Sequence, residues 1–116
     1  MSETSNQKPL PIVIGVVGLA VNDKGQVLLT QRHQPQDPLV HECWQLPGGG
    51  MEFGESPEQT LAREIQEELG VSVRILYPHP IAKTSIFATK VPFHVTLLCY
   101  LVSIDNQTPI LNDPET

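Results

Sequence analysis

The chain of 116 residues has few cationic side chains, few aromatic rings and little cysteine. Seven Lys and Arg against thirteen Asp and Glu give a formal net charge of -6, so a broad cationic surface for a nucleic-acid backbone is not expected. Cys43 and Cys99 lie far apart without CxxC spacing, which argues against a zinc site or a disulfide framework. The expectation is a reduced, cytoplasmic protein without a nucleic-acid partner.

Long hydrophobic runs are equally scarce. The one at residues 10–21 is too short to span a bilayer, which takes about 20 apolar residues. The preceding residues 1–9 carry one lysine balanced by Glu3, unlike the basic start of a signal peptide. We therefore expect no membrane partner, a disordered tail over residues 1–9 and a single domain over residues 10–116.

The remaining pattern predicts strands on both sides of one helix. The predicted strands are Ile12–Val21 and Gln26–Arg32, joined as a hairpin by Asn22–Gly25, then Val71–Tyr77, a short one within residues 78–92, and Val91–Ile104. This order favours the α/β (α+β) class, with a mixed sheet and a helix packed on it. Residues 112–115 resemble a helix start. Either this end of the chain is disordered or, as we expect, the chain ends before a final helix.

The segment WQLPGGGMEFGESPEQTLAREIQEELGV, residues 44–71, carries the strongest helix signals. Ser56 is a suitable N-cap, Pro57 suits the first helical position, and Gln59 completes a capping box. Gly70 supplies the C-terminal stop. These signals predict a helix from about Pro57 to Leu69.

Three acids lie on one side of this predicted helix. At about 100° per residue, Glu64, Glu67 and Glu68 share a face. That face borders a predicted buried face, which consists of Leu61, Ala62, Ile65 and Leu69. Like charges at these spacings cost roughly 0.2 to 0.5 kcal/mol per pair, and the C-terminal turn of a helix prefers cations.

Two explanations fit the acidic face. It is either an ordinary solvated surface or a site for a hard divalent cation such as Mg²⁺ or Mn²⁺, which takes carboxylate and carbonyl oxygens. Pro47–Gly50, just before the helix, favours the cation site, because glycines let the backbone approach a ligand closely. The loop has neither GxGxxG spacing nor the Lys-Ser/Thr of a P-loop.

Residues 49–71 resemble a complete Nudix box, the signature of the Nudix hydrolase superfamily, MutT-like pyrophosphohydrolases included. The matching positions are Gly49, Glu55, Arg63, Glu64, Ile65, Glu67, Glu68, Gly70 and Val71. The resemblance implies an α/β/α sandwich with a mixed sheet. The sandwich's second helix would begin near Asp113, so we expect it to be missing and one sheet face to be exposed. The oligomeric state stays open, with a homodimer as one option.

The resemblance also implies an activity and roles for the box residues. Such enzymes cleave the pyrophosphate linkage of nucleotides with a metal-activated water, here with Mg²⁺ or Mn²⁺. Glu64, Glu67, Glu68 and the Gly48 carbonyl would be the metal ligands. Glu64 would also position or deprotonate the water, while Arg63 would hold a box carboxylate and Glu55 would join the metal site or hold Arg63.

Substrate contacts are expected outside the matching positions of the box. The candidates are Arg32, Trp44, Phe53, Lys83, Phe87, Phe93 and His94, with ordinary packing as the alternative for each aromatic ring. The preferred substrates are nucleoside triphosphates, as in enzymes that sanitise the nucleotide pool. Nucleotide sugars or ADP-ribose are the alternative substrates, and a nucleotide sensor without catalysis is the alternative function.

Overall fold

A computed structural model of the protein describes residues 12–33, 35–36, 41–87 and 93–110. Within these ranges the strands are β1 (Ile12–Ala20), β2 (Thr30–Gln31), β3 (Trp44–Gln45), β4 (Gly48–Gly50), β5 (Arg74–Ile75), β6 (Ile81–Phe87) and β7 (Phe93–Ser103), and the helix is α1 (Pro57–Leu69). The tail predicted over residues 1–9 and the helix start near Asp113 lie outside the described residues. No helix within the described ranges is long and apolar enough to cross a membrane.

The main sheet is mixed, as the sequence predicts. β1 and β7 run parallel at its centre, in register from Ile12 opposite His94 to Ala20 opposite Val102. β4 pairs antiparallel with the other edge of β1, and β5 and β6 pair antiparallel with the other edge of β7. The sheet order therefore places β4 at one edge and β6 at the opposite edge.

Helix α1 covers one face of this sheet. Leu61, Ile65 and Leu69 are buried and pack with sheet residues, namely Val16, Ala20, Tyr100 and Val102. A Cβ atom on Gly18 would lie 3.0 Å from Val102 Cγ2 and 3.4 Å from Ile65 Cδ1. The glycine thus lets the helix sit close to the two central strands, where each buried Leu or Ile side chain contributes roughly 1.5 to 3 kcal/mol.

The predicted hairpin over Ile12–Arg32 is wrong beyond its turn. Pairing is limited to a bridge between Val21 and Val27 and a few backbone hydrogen bonds around it. The chain then leaves to form β2, which pairs with β3 in a separate two-stranded ribbon. The physical reason is competition, because β4 occupies the same edge of β1 further along.

Three smaller expectations also need correction. The strand predicted at Val71–Tyr77 shrinks to β5, whereas the connection after it contains the seven-residue β6. The last strand ends at Ser103, one residue before the predicted Ile104, while the predicted first residues, 91 and 92, lie outside the described residues. Ala62, predicted on the buried face of the helix, is exposed, because it lies at the far margin of the apolar stripe and no described element packs over it.

Within the described ranges, several apolar side chains on the sheet face opposite α1 are exposed. Side chains alternate between the two faces of a strand, so Val13, Leu97 and Leu101 project away from the helix. All three are exposed among the described residues. The expectation that a second helix is missing from this face stays a prediction, because residues 111–116 lie outside the described residues.

Candidate active site

The helix that carries the acidic residues begins and ends as predicted. The Ser56 hydroxyl accepts the Gln59 backbone N–H at 3.2 Å, and the Gln59 side chain accepts the Ser56 N–H at 2.9 Å. Gly70 adopts a left-handed conformation, with φ of 67°, and its N–H binds the Gln66 carbonyl. Both ends of α1 are thereby fixed, which orients the side chains along it.

Strand β4 lies directly against the acidic side of α1. The Gly48 N–H donates to Glu68 Oε1 at 3.1 Å. A Cβ atom on Gly49 would lie 2.3 Å from Glu64 Cδ, and one on Gly48 would lie 2.0 Å from the Val16 carbonyl oxygen. Gly48 also has a φ of 149°, which L side chains rarely adopt. Glycine at position 49 therefore leaves room for the Glu64 carboxylate, and glycine at position 48 lets β4 lie close to β1.

Exposure of the three acids follows their order around the helix. Glu68 is buried at 4% exposure, while the Glu64 and Glu67 side chains are 20% and 53% exposed. Glu68 lies nearest to the apolar stripe and Glu67 farthest from it, as the helical spacing predicts. The acidic face thus runs from the interior beside Gly48 out to solvent.

Arg63 connects most of the carboxylates in this region. Its Nη1 donates to Glu64 Oε1 and to Glu67 Oε1, both at 3.0 Å. Its Nη2 donates to the Gly50 carbonyl at 3.2 Å, which ties the helix to β4. Glu52 lies 3.9 Å from the same nitrogen. One guanidinium therefore orients several acids, and its hydrogen bonds, first to Glu55 and then to Glu64 and Glu67, raise its pKa.

Glu55 is the main partner of Arg63. Its Oε2 accepts from Arg63 Nε at 2.7 Å and its Oε1 from Nη2 at 3.0 Å. The Glu52 N–H and the Thr60 hydroxyl also donate to Oε1. The Arg63 hydrogen bonds, followed by these two, lower the pKa of Glu55 to about 2. Sequence reasoning missed Thr60, which is buried beside Glu55. Its position five residues after Glu55 was the one signal in the sequence that could have indicated this contact.

The donor set at this site fits a hard divalent cation. Carboxylates of Glu52, Glu55, Glu64, Glu67 and Glu68 surround one guanidinium and a glycine turn, so negative charge is in excess. Within the described ranges, no three Asp, Glu, His or Cys side chains already converge on a common metal position. Glu64 and Glu67 instead face Arg63, and Glu68 faces Gly48.

A cleft on the opposite side of β4 contains one predicted substrate residue. It measures about 320 Å³, and its described lining is Gly15, Val17, Arg32, Gln45, Leu46, Gly48, Gly49 and Leu97. Arg32 Nε and Nη2 both lie 3.3 Å from Gln45 Oε1. The guanidinium of Arg32 thus lies at an apolar cleft that also borders Gly48 and Gly49, the two glycines beside the acidic face. Sequence reasoning missed Gln45 because pairing between β2 and β3 brings it to Arg32.

The other predicted substrate residues lie elsewhere. Trp44 is 65% exposed on β3 and shares a second cleft with Arg32, while Phe53 is fully exposed in the loop before α1. His94 lies on β7, and its buried Nε2 has no hydrogen-bond partner in the described part of the chain. Lys83 and Phe87 belong to β6 and Phe93 to β7, so β1 and β7 separate β6 from β4.

The largest of these clefts is not at the acidic face. It measures about 490 Å³, lies between the turn after β1 and residues 103–109, and is lined by none of the predicted site residues. Cleft volume alone would place the active site there, whereas the carboxylate charge and the glycine contacts favour a site between β4 and α1.

Comparison with known proteins agrees with this geometry. The family model for the NUDIX domain matches residues 11–116. A MutT NUDIX hydrolase from Burkholderia pseudomallei superimposes with a TM-score of 0.70 at 28% identity, covering 90% of this chain and 76% of that one. The chain belongs to the Nudix family, as its box predicts. That family generally uses divalent metal ions.

Two curated relatives carry names that describe pyrophosphate chemistry. An RNA pyrophosphohydrolase from Acinetobacter baylyi is 45% identical over 58 residues, which are 50% of this chain and 30% of the relative. An 8-oxo-dGTP diphosphatase from Haemophilus influenzae is 42% identical over 60 residues, 52% of this chain and 43% of the relative. The match spans less than half of either relative, and both are named as hydrolases of phosphoanhydride bonds.

Proposed function

We propose that this protein is a Mg²⁺-dependent hydrolase that cleaves the pyrophosphate linkage of nucleoside triphosphates to a monophosphate and pyrophosphate. The observation that carries the proposal is the contact of Glu64 and Glu68 with the Gly48–Gly49 backbone in a region of excess carboxylate. A polyanionic substrate would be repelled there unless a cation is shared between protein and phosphate.

Four groups would hold the cation, namely Glu64, Glu67, Glu68 and the Gly48 carbonyl. When bound, Mg²⁺ or Mn²⁺ neutralises phosphate oxygens and lowers the pKa of a bound water. The protein's own contribution is orientation. Arg63 holds the Glu64 and Glu67 carboxylates at 3.0 Å, and Glu55 holds Arg63. Glu64 positions the attacking water and accepts its proton.

Arg32 is the proposed phosphate contact on the substrate side. It is half-buried, stands at the cleft beside Gly48 and Gly49, and is oriented by Gln45. A guanidinium oriented in this way suits phosphate recognition. The apolar part of the cleft, Val17, Leu46 and Leu97, offers a surface for the nucleoside. Trp44, Phe53 and His94 remain weaker proposals, because none of them lines this cleft.

The choice of a free nucleotide rests on charge. With a net charge of -6, the protein lacks the cationic surface that would hold a long phosphate backbone. The names of the relatives make the triphosphate end of an RNA the second candidate substrate, since it presents the same reacting group. Cys43 and Cys99 lie far apart in sequence without CxxC spacing, which suits the reducing cytoplasm, where we place the activity.

A panel of substrates tests the proposal. Nucleoside triphosphates, nucleotide sugars, ADP-ribose and a 5′-triphosphate RNA would each be incubated with Mg²⁺, with Mn²⁺ and with chelator. We expect monophosphate and pyrophosphate from the triphosphates, only with metal. Metal-independent turnover would contradict the assignment of the acidic face. Tight nucleotide binding without any turnover would identify the sensor alternative instead.

A further inference from the structure

Strand β6 forms the edge of the main sheet far from the candidate site. All its residues, Ile81–Phe87, pair with β7, and no other strand in the described ranges pairs with its outer edge. An edge strand presents a row of N–H and C=O groups that can pair with another chain. As far as the described residues show, the backbone of β6 is therefore available for one more strand.

The side chains of β6 do not protect this edge. Natural edge strands are commonly short or interrupted by proline, bulges or several charges. β6 has seven residues, no proline and a single charge, Lys83. Ile81 and Ile86 are 76% and 73% exposed, and their spacing places them on opposite faces of the sheet. Exposed β-branched residues on both faces favour strand pairing.

We propose that β6 pairs antiparallel with β6 of a second copy of this chain, around a two-fold axis perpendicular to the sheet. In such a pair each strand faces itself about one central residue. With Thr84 at the centre, all seven residues of β6 are paired. Ala82 then faces Ile86 of the other copy, and Lys83 faces Ser85.

Charge and hydroxyl groups favour this register over its neighbour. With Lys83 at the centre, two lysines would face each other directly, which is destabilising. With Thr84 at the centre, each lysine instead meets a serine. The Thr84 and Thr96 hydroxyls are 3.2 Å apart within one copy, so the axis would join two such pairs into a row of four threonines.

The arrangement leaves the candidate site open. β6 and β4 lie at opposite edges of the sheet, so pairing through β6 joins two sheets without covering the acidic face. An extended peptide from another protein could use the same edge. The observation that favours a second copy is the sequence of β6 itself, which in this register places Lys83 opposite Ser85 and Ile86 opposite Ala82 without a lysine pair.

Opposite charges at one position test the proposal. Sedimentation equilibrium over a range of concentrations would be measured for the unchanged protein, Ser85→Glu and Ser85→Lys. Each substitution acts at two symmetric contacts with Lys83. We therefore expect the dissociation constant of the dimer to fall roughly two- to thirtyfold for Ser85→Glu and to rise by a similar factor for Ser85→Lys. Ile86→Lys should also weaken the dimer.

Ile12→Lys is the matched control for Ile86→Lys. Ile12 is 69% exposed and lies on the same sheet face as Ile86, but it belongs to β1 and not to β6. Ile12→Lys should leave the dimer unchanged, and circular dichroism would verify that every variant is folded. A protein that stays monomeric up to about 1 mM, the weak end of protein affinities, would overturn the proposal. So would a dimer whose dissociation constant is indifferent to the charge at position 85.

Discussion

Arg63 and Glu55 form a two-point ion pair, with the nitrogens Nε and Nη2 lying 2.7 and 3.0 Å from the two carboxylate oxygens. The remaining nitrogen of Arg63, Nη1, contacts Glu64 and Glu67. Glu55 thus acts on the proposed metal ligands through Arg63, as a residue that positions them. This relationship makes the geometry of the acidic face depend on a carboxylate at the entrance of the helix.

Replacing Glu55 by Gln should therefore change how stability depends on pH. Folding lowers the Glu55 pKa from 4.5 to about 2. The ionised Glu55 therefore contributes fully to the free energy of unfolding above about pH 4.5, and this contribution is lost as the pH falls towards about 2. Urea unfolding should show Glu55→Gln less stable than the unchanged protein at pH 7, with the difference shrinking by pH 3. A difference independent of pH would contradict the ion pair.

Removing the charge of a proposed metal ligand should abolish turnover while leaving the fold intact. For Glu67→Gln or Glu68→Gln we expect a loss of more than about a hundredfold, since changes outside the ligand shell alone cost about ten- to a hundredfold. Glu67 is half exposed, so its replacement should alter stability by less than about 0.5 kcal/mol. Hydrolysis with Mg²⁺ and thermal melting are the measurements.

Glu52→Gln is the matched control for the charge change, because Glu52 lies in the loop before α1, is 61% exposed and comes no nearer to Arg63 than 3.9 Å. It should retain most of the activity. Wild-type hydrolysis by Glu67→Gln or Glu68→Gln would refute the ligand assignment.

The three consecutive glycines should respond differently to alanine. A Cβ atom on Gly50 meets nothing within 4 Å, one on Gly49 meets the Glu64 carboxylate, and one on Gly48 meets the backbone of β1. Gly50→Ala should behave like the unchanged protein. Gly49→Ala should lose activity with a modest loss of stability, and Gly48→Ala should lose about 1 to 3 kcal/mol of stability. Equal effects at all three positions would contradict this packing.

Arg32→Ala should weaken substrate binding more than it slows the chemical step. A hydrogen bond to a charged group contributes about 1.5 to 3 kcal/mol, which corresponds to roughly a ten- to hundredfold rise in KM. Gln45→Ala should give a smaller rise, since Gln45 only orients the guanidinium. Gln31→Ala is the control, because Gln31 directly precedes Arg32 but does not line this cleft. An unchanged KM for Arg32→Ala would remove the cleft from the substrate site.

The helix was predictable because its signals are local. Ser56, Pro57 and Gly70 determine its ends through contacts a few residues away, and the helical period alone orders Glu68, Glu64 and Glu67 from buried to exposed. The hairpin prediction failed because the edge of β1 is shared with β4, a strand that lies beyond β2 and β3 in sequence. The Arg32–Gln45 contact was missed for a similar reason, since neither residue carries a local signal for it.

The central pair of the sheet joins the first described strand, Ile12–Ala20, to the last, Phe93–Ser103. Contacts between residues so distant in sequence slow folding, because a long loop must close before they form. During synthesis, β1 and α1 emerge well before β7, and their apolar faces stay exposed until β7 completes the core. Folding to completion is therefore expected only after the ribosome has released β7, which makes the nascent chain the stage most prone to aggregation.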